Sequence, residues 1–527
     1  MRSSDGRAAS AAEKVILDGQ NLTLEQVVRV AREGVAAEIA PEALARVEES
    51  RRLVEAFLRG GKAVYGVTTG FGKFSDVMIS PEETEYLQRN LIVSHACGVG
   101  EPLDPEIVRA VMLLRANALC KGFSGIRRDT LETLVAMLNR GVHPIIPEKG
   151  SLGASGDLAP LAHMVLVLIG EGEAWYEGER LPGGEAMRRA GIPPVTLQAK
   201  EGLALINGTQ VMTAIGALAA ADALSLARSA DVVAALTAQA VRGIPKAFDP
   251  RVNAVRPHPG QAQSARNLLR LLAGSRLVTA PGELRVQDPY TIRCIPQVHG
   301  ASRGVIDHVR EVLERELNSA TDNPLLFPES GEAGSPDSGE VISGGNFHGQ
   351  PVALALDYLG MALAELANIA ERRVERLVNP QLSGLPAFLT RYGGLHSGFM
   401  IAQYTAAALV SENKILASPA SVDSIPSSAN QEDHVSMGTI SARKARAILE
   451  NARNVLAIEL LCASQAAEFL GPDGLGSGTT AAYRLLRREV PPLDEDRVLA
   501  PDIARAASLI ASGDLLAAVR AEIGELE

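Results

Sequence analysis

A single serine, Ser155, stands in a glycine-rich stretch that ends where a helix is predicted to begin. The stretch reads GSLGASGDLAPLAHM over residues 150–164 and contains three glycines. Asp157 is a residue type that caps helices, and Pro160 is tolerated in a first helical turn, so a helix is predicted to begin at Leu158. Ser155 would therefore lie just before a helix N-terminus, where the positive end of the helix dipole stabilises developing negative charge.

Taken alone, this stretch also fits two other interpretations. The first is a glycine-rich turn that only caps the following helix, because glycines allow backbone conformations that other residues resist. The second is the nucleophile turn of a serine hydrolase, which requires the pattern Gly-x-Ser-x-Gly. Here Gly156 follows Ser155 directly, and no set of His and Asp partners is evident, so the hydrolase pattern is not met.

Six further segments decide between these interpretations, because together with Ala154-Ser155-Gly156 they resemble the signature of the histidine/phenylalanine ammonia-lyase family. The resemblance is closest to the histidine-specific members, and it extends over most of the chain from about Val15 onward. The segments are YGVTTGFG (65–72), QRNLIVSHACGVG (88–100), INGTQ (206–210), VQDPYTIRCIPQVHGA (286–301), GGNFHGQ (344–350) and ANQEDHVSMG (429–438).

The resemblance implies that Ser155 does not act as a nucleophile but is converted into part of an electrophilic group. In that family the amide nitrogen of the residue at Gly156 attacks the carbonyl carbon of the residue at Ala154. Loss of water from the ring and from Ser155 then leaves a 4-methylidene-imidazol-5-one (MIO) group. No external cofactor is expected. The residue types suit this chemistry, since a small alanine and an unhindered glycine allow the ring to close.

A tyrosine is the candidate base. By the resemblance, Tyr65 removes the β-proton of the substrate, which requires its pKa to be lowered from about 10 by positive potential. Thr68 stands where an asparagine is expected, a small departure from the family pattern. The division of acid and base roles between Tyr65 and Tyr290 stays open, as does the question whether the amine or the ring of the substrate attacks the electrophile.

Five other residues are expected to form the pocket. Asn207 would contact the prosthetic ring and the substrate, and Arg293 would bind the substrate carboxylate through its forked guanidinium. Gln287 and Tyr290 would line the same pocket, with Tyr290 close to the ring. Phe347 would form a wall, although a lone phenylalanine is more often part of an ordinary core.

Two residues bear on the substrate. His95 stands where histidine-specific relatives carry histidine, and Glu432 stands where phenyl-specific relatives carry glutamine. An imidazole and a carboxylate can hydrogen-bond both nitrogens of a substrate imidazole, which a phenyl ring could not reciprocate. The resemblance therefore implies non-oxidative deamination of L-histidine to trans-urocanate and ammonia, the first step of histidine degradation. The alternatives are a tyrosine or phenylalanine ammonia-lyase, a 2,3-aminomutase, and a non-catalytic helical scaffold.

The elements that must position these residues are predicted to be mainly helical. Hydrophobic residues make up 46% of the 527 residues and aromatic residues only 4%, a composition that favours helix over sheet. Residues 209–242, 349–378 and 440–470 keep helical periodicity for about 30 residues each, which predicts helices of ~45 Å. The expected fold is a long-helix bundle, fumarase/aspartase-like by the resemblance. We predict a mixed N-terminal part bearing the MIO loop in residues 1–200 and the helix bundle with C-terminal helices in residues 201–527.

Charge, cysteine content and histidine spacing indicate which partners, ligands and cellular location to expect. A net charge of -11 argues against nucleic-acid binding, and four scattered cysteines fit a reduced, cytoplasmic location. Residues 202–221 are uncharged for about the length of a membrane span, but the polar residues in their middle favour a buried helix, so no membrane partner is expected. The histidines show no metal-ligand spacing, so no metal is expected. The family resemblance implies a homotetramer with shared active sites, and the acidic segment 328–340 is predicted to be an exposed loop.

Overall fold

A computed structural model describes residues 14–60, 81–329 and 338–527 of the chain. Helices dominate these residues. In chain order the α-helices are α1 Leu24–Glu33, α2 Pro41–Gly60, α3 Pro81–His95, α4 Pro105–Leu119, α5 Arg128–Asn139, α6 Leu158–Leu168, α7 Gly183–Arg189, α8 Glu201–Ile206, α9 Gln210–Ala240, α10 Pro250–Ala254, α11 Pro259–Leu271, α12 Tyr290–Arg293, α13 Ile295–Leu317, α14 Gln350–Val378, α15 Pro380–Ser383, α16 Met400–Leu416, α17 Gly438–Leu470, α18 Ser477–Glu489, α19 Ala500–Ala511 and α20 Asp514–Ile523.

The strands are short and form small separate sheets. They are β1 Val15–Leu17, β2 Ala37–Ile39, β3 Val99–Pro102, β4 His143–Pro144, β5 Pro147–Lys149, β6 Glu173–Tyr176, β7 Glu179–Pro182, β8 Leu325–Pro328 and β9 Gly339–Ile342. Strands β1 and β2 pair in parallel, whereas β3–β5, β4–β6–β7 and β8–β9 are antiparallel.

The chain divides into two compact units. The first contains the described residues up to Leu218 together with Glu311–Leu354 and Pro419–Arg443, and the second contains Ala219–Arg310, Ala355–Ser418 and Lys444–Glu527. The unit boundaries fall inside helices α9, α13, α14 and α17. Both units therefore draw on several separated stretches of the chain, whereas the two parts predicted from the sequence, residues 1–200 and 201–527, were consecutive segments. That division of the chain stays a prediction.

The first unit contains the small sheets and helices α1–α8. Helix α1 begins with a capping box, where the Thr23 side chain accepts from the Gln26 backbone and the Gln26 side chain accepts from the Thr23 backbone. Strands β6 and β7 form a hairpin. Its turn residues, Glu177 and Gly178, both have positive φ, as a tight two-residue hairpin turn requires.

The second unit contains most of the long helices, whose buried faces carry paired charges. Glu459 on α17 accepts from Arg373 on α14 at 2.6 and 2.9 Å and from Thr237 on α9 at 2.6 Å. Asp231 on α9 accepts from Arg303 on α13 at 2.6 Å. Such pairs tie neighbouring helices together where an unpaired charge would be strongly destabilising.

The long helices agree with the sequence periodicity. Helices α9, α14 and α17 match the three predicted segments within a few residues. Two of them, α9 and α14, are long and apolar enough to cross a membrane by length and composition, but 78% and 67% of their most apolar windows are buried. Residues 202–220 are all buried, as predicted, although a turn at residues 207–209 divides them between α8 and α9. Of the predicted acidic loop, residues 330–337 lie outside the described residues, and its flanks belong to β8 and β9.

Candidate active site

The serine-bearing loop lies between β5 and α6 and is shaped by glycines. Gly153 and Gly156 have φ values of +70° and +68°, a left-handed backbone that other residues adopt at a cost. Gly156 also packs directly on Gly208, and a Cβ atom at residue 156 would overlap the Gly208 carbonyl group. The two residues form an isolated parallel bridge, and the Asp157 amide donates to the Gly208 carbonyl at 2.7 Å. Glycine at position 156 is therefore dictated by space as well as by φ.

Asp157 holds the loop against a second helix. It occupies the N-cap position of α6, as predicted, but its side chain makes no cap hydrogen bond there. Instead, Asp157 Oδ2 accepts from the amides of Val211 and Met212 at the start of α9, both at 2.9 Å. Its Oδ1 accepts from Ser151 Oγ at 2.8 Å and from Thr439 Oγ1. The prediction that Asp157 caps its own helix was wrong in this respect, because free amides of the neighbouring helix lie within its reach.

Two carboxyl groups, those of Asp157 and Glu316, are buried near the start of α9. Burial raises the pKa of Asp157, and hydrogen bonds from Thr439 and Met212 oppose that shift. Thr209 donates to Glu316, and burial raises the pKa of this carboxyl as well. Carboxylates at a helix N-terminus interact favourably with the helix dipole, which offsets part of the cost of burying them.

The segment before α17 forms the other side of the loop. The Ser436 amide and hydroxyl both donate to the Gly153 carbonyl at 3.2 Å, and the Met437 amide donates to the Leu152 carbonyl at 3.0 Å. Ala154 packs with Val435 and Met437 in a small apolar cluster. The loop is thus clamped from both sides, by α9 and by residues 435–439.

The side chain of Asn207 contacts the backbone of Ser155. It is 3% exposed, and its Nδ2 donates to the Ser155 carbonyl oxygen at 3.2 Å. Its Oδ1 is buried without a partner among the described residues. A buried, unsatisfied acceptor is costly and is often found where a ligand group completes the arrangement. The predicted contact of Asn207 with the prosthetic ring and the substrate stays a prediction.

His95 and Glu432, the two residues expected to select the substrate, interact electrostatically in the first unit. His95 ends α3, and burial lowers its pKa, while the negative charge of Glu432 opposes this shift. Glu432 is half-buried and accepts from Ser427 Oγ at 3.1 Å. The backbones of Ser427 and Glu432 also bond reciprocally, at 2.9 and 3.3 Å. The structure therefore brings together the two side chains that the sequence placed more than three hundred positions apart.

Phe347 belongs to a loop that packs on the same elements. It is half-buried and precedes Gly349, where a Cβ atom would lie 2.5 Å from Met212 Sδ and 3.0 Å from Ser436 Oγ. Its neighbour His348 stacks on His434 with ring centroids 5.5 Å apart. The loop of Phe347 is therefore fixed near the start of α9 and the segment that clamps the serine-bearing loop.

Gln287, Tyr290 and Arg293 belong to the second unit. Gln287 is exposed, and Tyr290 is 70% exposed at the start of α12. The Arg293 guanidinium lies over the Tyr290 ring, 4.6 Å from its centroid, and Arg293 Nε is buried without a partner among the described residues. The structure thus pairs Tyr290 with Arg293 and leaves a guanidinium nitrogen available to a ligand. Tyr65, the candidate base, lies outside the described residues.

Sequence reasoning missed the buried polar residues that support the turn at residues 207–209. Arg115 is fully buried on α4, and its Nη1 donates to the Asn207 carbonyl and to Gln210 Oε1, both at 2.8 Å. Gln210 Nε2 in turn donates to Thr321 Oγ1 at 2.8 Å. The only available signal was that Arg115 follows an apolar run on a mostly apolar helix. In the described ranges, no group of three or more His, Cys, Asp or Glu side chains could hold a metal ion.

Comparison with known proteins supplies the family. Residues 22–488 match the family model described as aromatic amino acid lyase. The chain is 65% identical to a protein from Symbiobacterium thermophilum named histidine ammonia-lyase, over 97% of this chain and 99% of that protein. It is similarly 65% identical to one of the same name from Alkaliphilus metalliredigens, over 94% and 97% of the two chains.

Solved structures agree with these sequence relatives. The crystal structure of histidine ammonia-lyase from Trypanosoma cruzi is 46% identical, with a TM-score of 0.89 over 97% of this chain and 95% of that one. Tyrosine aminomutase from Streptomyces globisporus is 41% identical, with a TM-score of 0.93 over 98% and 100% of the chains. These neighbours confirm the predicted fold class, a mainly helical fumarase/aspartase-like fold. The chain therefore belongs to the aromatic amino acid lyase family, as the segments around Ser155 had predicted.

Proposed function

We propose that the chain catalyses the non-oxidative deamination of L-histidine to trans-urocanate and ammonia, the first step of histidine degradation. The names of its similar relatives support this substrate, since several proteins 56–65% identical over nearly the whole chain are named histidine ammonia-lyase. The single structural observation that carries the proposal is the electrostatic interaction of His95 with Glu432.

The residues at the serine-bearing loop fit a self-made MIO group. Gly156 has the left-handed φ and the close backbone neighbour that exclude any side chain, and Ala154 is small and 8% exposed. Asn207 Nδ2 already contacts the Ser155 carbonyl oxygen, and its orphaned Oδ1 leaves an acceptor for a group in the pocket. Formed from Ala154, Ser155 and Gly156, this group would supply a strong electrophile, which unmodified side chains lack. Asn207 would then hold its oxygen and keep its orientation fixed.

The other residues bind and orient the substrate and move its protons. Arg293 binds the carboxylate, for which its unpartnered Nε is a ready donor, and Gln287 and Tyr290 line the same part of the pocket. Tyr65 removes the β-proton, with Tyr290 as the second tyrosine that can exchange protons with the substrate. Phe347 forms an apolar wall.

His95 and Glu432 select an imidazole over a phenyl ring. Because burial lowers the pKa of His95, its ring stays neutral at neutral pH and can both donate and accept a hydrogen bond. Glu432 offers a carboxylate to the second ring nitrogen, and Ser427 holds one of its oxygens. With phenylalanine or tyrosine these half-buried polar groups would lose their substrate partners, and sites that hydrogen-bond a substrate discriminate strongly against analogues that lack the bonding group.

A homotetramer with active sites shared between subunits is part of the proposal. Helix α16 supports it: this apolar helix runs for 17 residues, of which only Ala402, Ala406 and Asn413 are buried. Ile401, Tyr404 and Ile415, which lie 58–73% exposed along it, form an apolar surface suited to a second copy of the chain. The exposed segment that carries Gln287 and Tyr290 suits the same arrangement. We expect the assembled protein to be cytoplasmic.

The rival substrates are separated by offering them one at a time. L-histidine, L-tyrosine and L-phenylalanine would each be supplied to the purified protein, with release of ammonia and near-UV absorbance followed in parallel. We expect ammonia and the absorbance of urocanate with histidine. A cinnamate-type product would contradict the roles of His95 and Glu432, a β-amino acid would indicate an aminomutase, and no ammonia with any substrate would indicate a non-catalytic scaffold.

A further inference from the structure

Arg115 is a buried charged residue to which the proposed reaction assigns no role. It lies on α4 with a fully buried side chain, and burial lowers its pKa to about 10, so it remains charged at neutral pH. Burying a charge is costly unless strong interactions offset it. The negative charge of Asp322 opposes the lowering of the Arg115 pKa, but Asp322 is itself paired with Lys200 at 2.6 Å.

The hydrogen bonds of Arg115 go to the turn between α8 and α9. Its Nη1 bridges the Asn207 carbonyl oxygen and Gln210 Oε1, each at 2.8 Å, and so joins the two ends of the turn. Its Nε and Nη2 are buried without partners among the described residues. The hydrogen bonds that Arg115 makes within the described residues thus all go to one place, the turn at residues 207–210.

Gly208, in the middle of this turn, is enclosed on both sides. On one side, a Cβ atom at residue 208 would lie 2.6 Å from Arg115 Nη1 and 2.5 Å from Thr321 Oγ1. On the other side, the Gly208 backbone is pressed against Gly156 and its carbonyl accepts from the Asp157 amide. Arg115 therefore forms the wall behind the turn, and the turn forms the wall behind the serine-bearing loop.

From this arrangement we propose that Arg115 is a positioning residue for formation of the electrophile, acting through the Asn207–Gly208 peptide and not by touching the reacting atoms. This inference rests on the proposed function. Ring closure forms a bond from the Gly156 nitrogen to the Ala154 carbonyl carbon. The Ala154 oxygen leaves as water with the amide hydrogens of Gly156 and Ser155, and the Ser155 hydroxyl leaves as a second water with the α-hydrogen. Both steps are redox-neutral, so they need correct geometry and no further reactant.

The experiment measures dehydration directly by intact-mass spectrometry of the purified full chain. In Arg115→Met the rate of dehydration should fall by about tenfold or more, the factor carried by one hydrogen bond to a charged group. Arg115→Lys should recover part of the loss, because an ammonium group can still donate to both acceptors. The matched control is Arg109→Met. Arg109 lies on the same helix and donates to the main-chain carbonyls of Val30 and Leu138, away from the turn. This control should dehydrate as the unaltered chain does.

Each outcome decides a different statement. A folded Arg115→Met chain with normal dehydration would overturn the role of Arg115. If that variant does not fold, Arg115→Lys and Gln210→Met decide: a slower loss of water in both is expected, and normal dehydration in both overturns the inference. An unaltered chain that keeps its full encoded mass would instead refute the proposed electrophile, whatever Arg115 does.

Discussion

Buried polar groups are used differently in the two units. In the second unit the helix interior pairs its charges: Arg373 meets Glu459, and Arg303 meets Asp231. Although burial raises it, the charge of Arg303 and the hydrogen bond from His299 hold the pKa of Asp231 well below its usual range. In the first unit the buried groups around Ser155 are directed instead at backbone atoms of a turn and a loop. Polar atoms without a partner occur in the described ranges of both units.

This difference distinguishes buried charges that hold helices together from buried polar groups that fix the backbone of a loop. Charges that are paired between helices, such as Arg373 with Glu459, mainly specify how those helices pack. Groups that hold backbone in a left-handed or crowded conformation, and that leave an acceptor such as Asn207 Oδ1 unsatisfied, maintain an arrangement that only a ligand or a chemical change completes. The following changes test that distinction.

The largest effect is expected from Ser155→Ala. Without the Ser155 hydroxyl, the second loss of water is impossible, so turnover should fall to background while circular dichroism stays that of the unaltered chain. Activity and intact mass would be measured together. The control is Ser229→Ala, which removes a serine hydroxyl that donates within α9 in the second unit and should leave turnover unchanged. A folded Ser155→Ala enzyme with normal turnover would refute the role of the serine.

The next largest effect concerns stability alone. Glu459→Gln leaves Arg373 as an uncompensated buried charge, so the free energy of unfolding should fall by about 3–5 kcal/mol. Urea unfolding would measure it. Because this pair lies in the second unit, dehydration of the folded chain should be unaffected. If the folded Glu459→Gln chain dehydrated much more slowly than the unaltered chain, the distinction between the two kinds of buried charge would be contradicted.

An effect of pH is expected at His143 in the first unit. Burial and the charge of Arg109 lower the pKa of His143 from 6.5 to about 4, and Arg109 Nη1 lies 3.2 Å from its Nε2. The unfolded chain binds this proton more readily than the folded chain. The contribution of neutral His143 to the free energy of unfolding is therefore fully present above pH 6.5 and is lost as the pH falls towards 4, by at most about 1.4 kcal/mol per pH unit. Urea unfolding at several pH values should show a shallower acid dependence in His143→Gln. An identical dependence in both chains would contradict the assignment.

The smallest effect is expected beside Glu432. Ser428, Ala429 and Asn430 are three consecutive non-glycine residues with positive φ, between 50° and 65°. A left-handed conformation costs an L-residue about 1–2 kcal/mol, so Ala429→Gly should stabilise the protein by up to about 1 kcal/mol after its larger unfolded-state entropy is allowed for. The control, Ala504→Gly, lies on the exposed side of α19 and should destabilise by about 1 kcal/mol. Thermal unfolding of both variants gives the signs, and a loss of stability in Ala429→Gly would contradict the strain.

The sequence predicted what depends on local pattern. Helical periodicity identified α9, α14 and α17, and the residue types at 157–160 placed the start of α6 at Leu158. The sequence could not predict which residues, distant along the chain, a given side chain would contact. Asp157 looked like the cap of α6, yet it bonds amides of α9, more than fifty positions away, because the fold brings these amides closer. The position of Arg115 in a mostly apolar segment did not reveal what it binds, since its partners lie more than ninety positions further along the chain.

The crowding of Gly208 has a consequence for attempts to redirect this enzyme to new amino acids. Any side chain at position 208 meets Arg115 and Thr321, and any side chain at position 156 meets Gly208 itself. Mutant libraries that vary these glycines would consist mostly of chains with a displaced serine-bearing loop. Variation is better placed at His95, Phe347 and Glu432, to which the proposed function assigns the substrate ring and where a new side chain need not displace that loop.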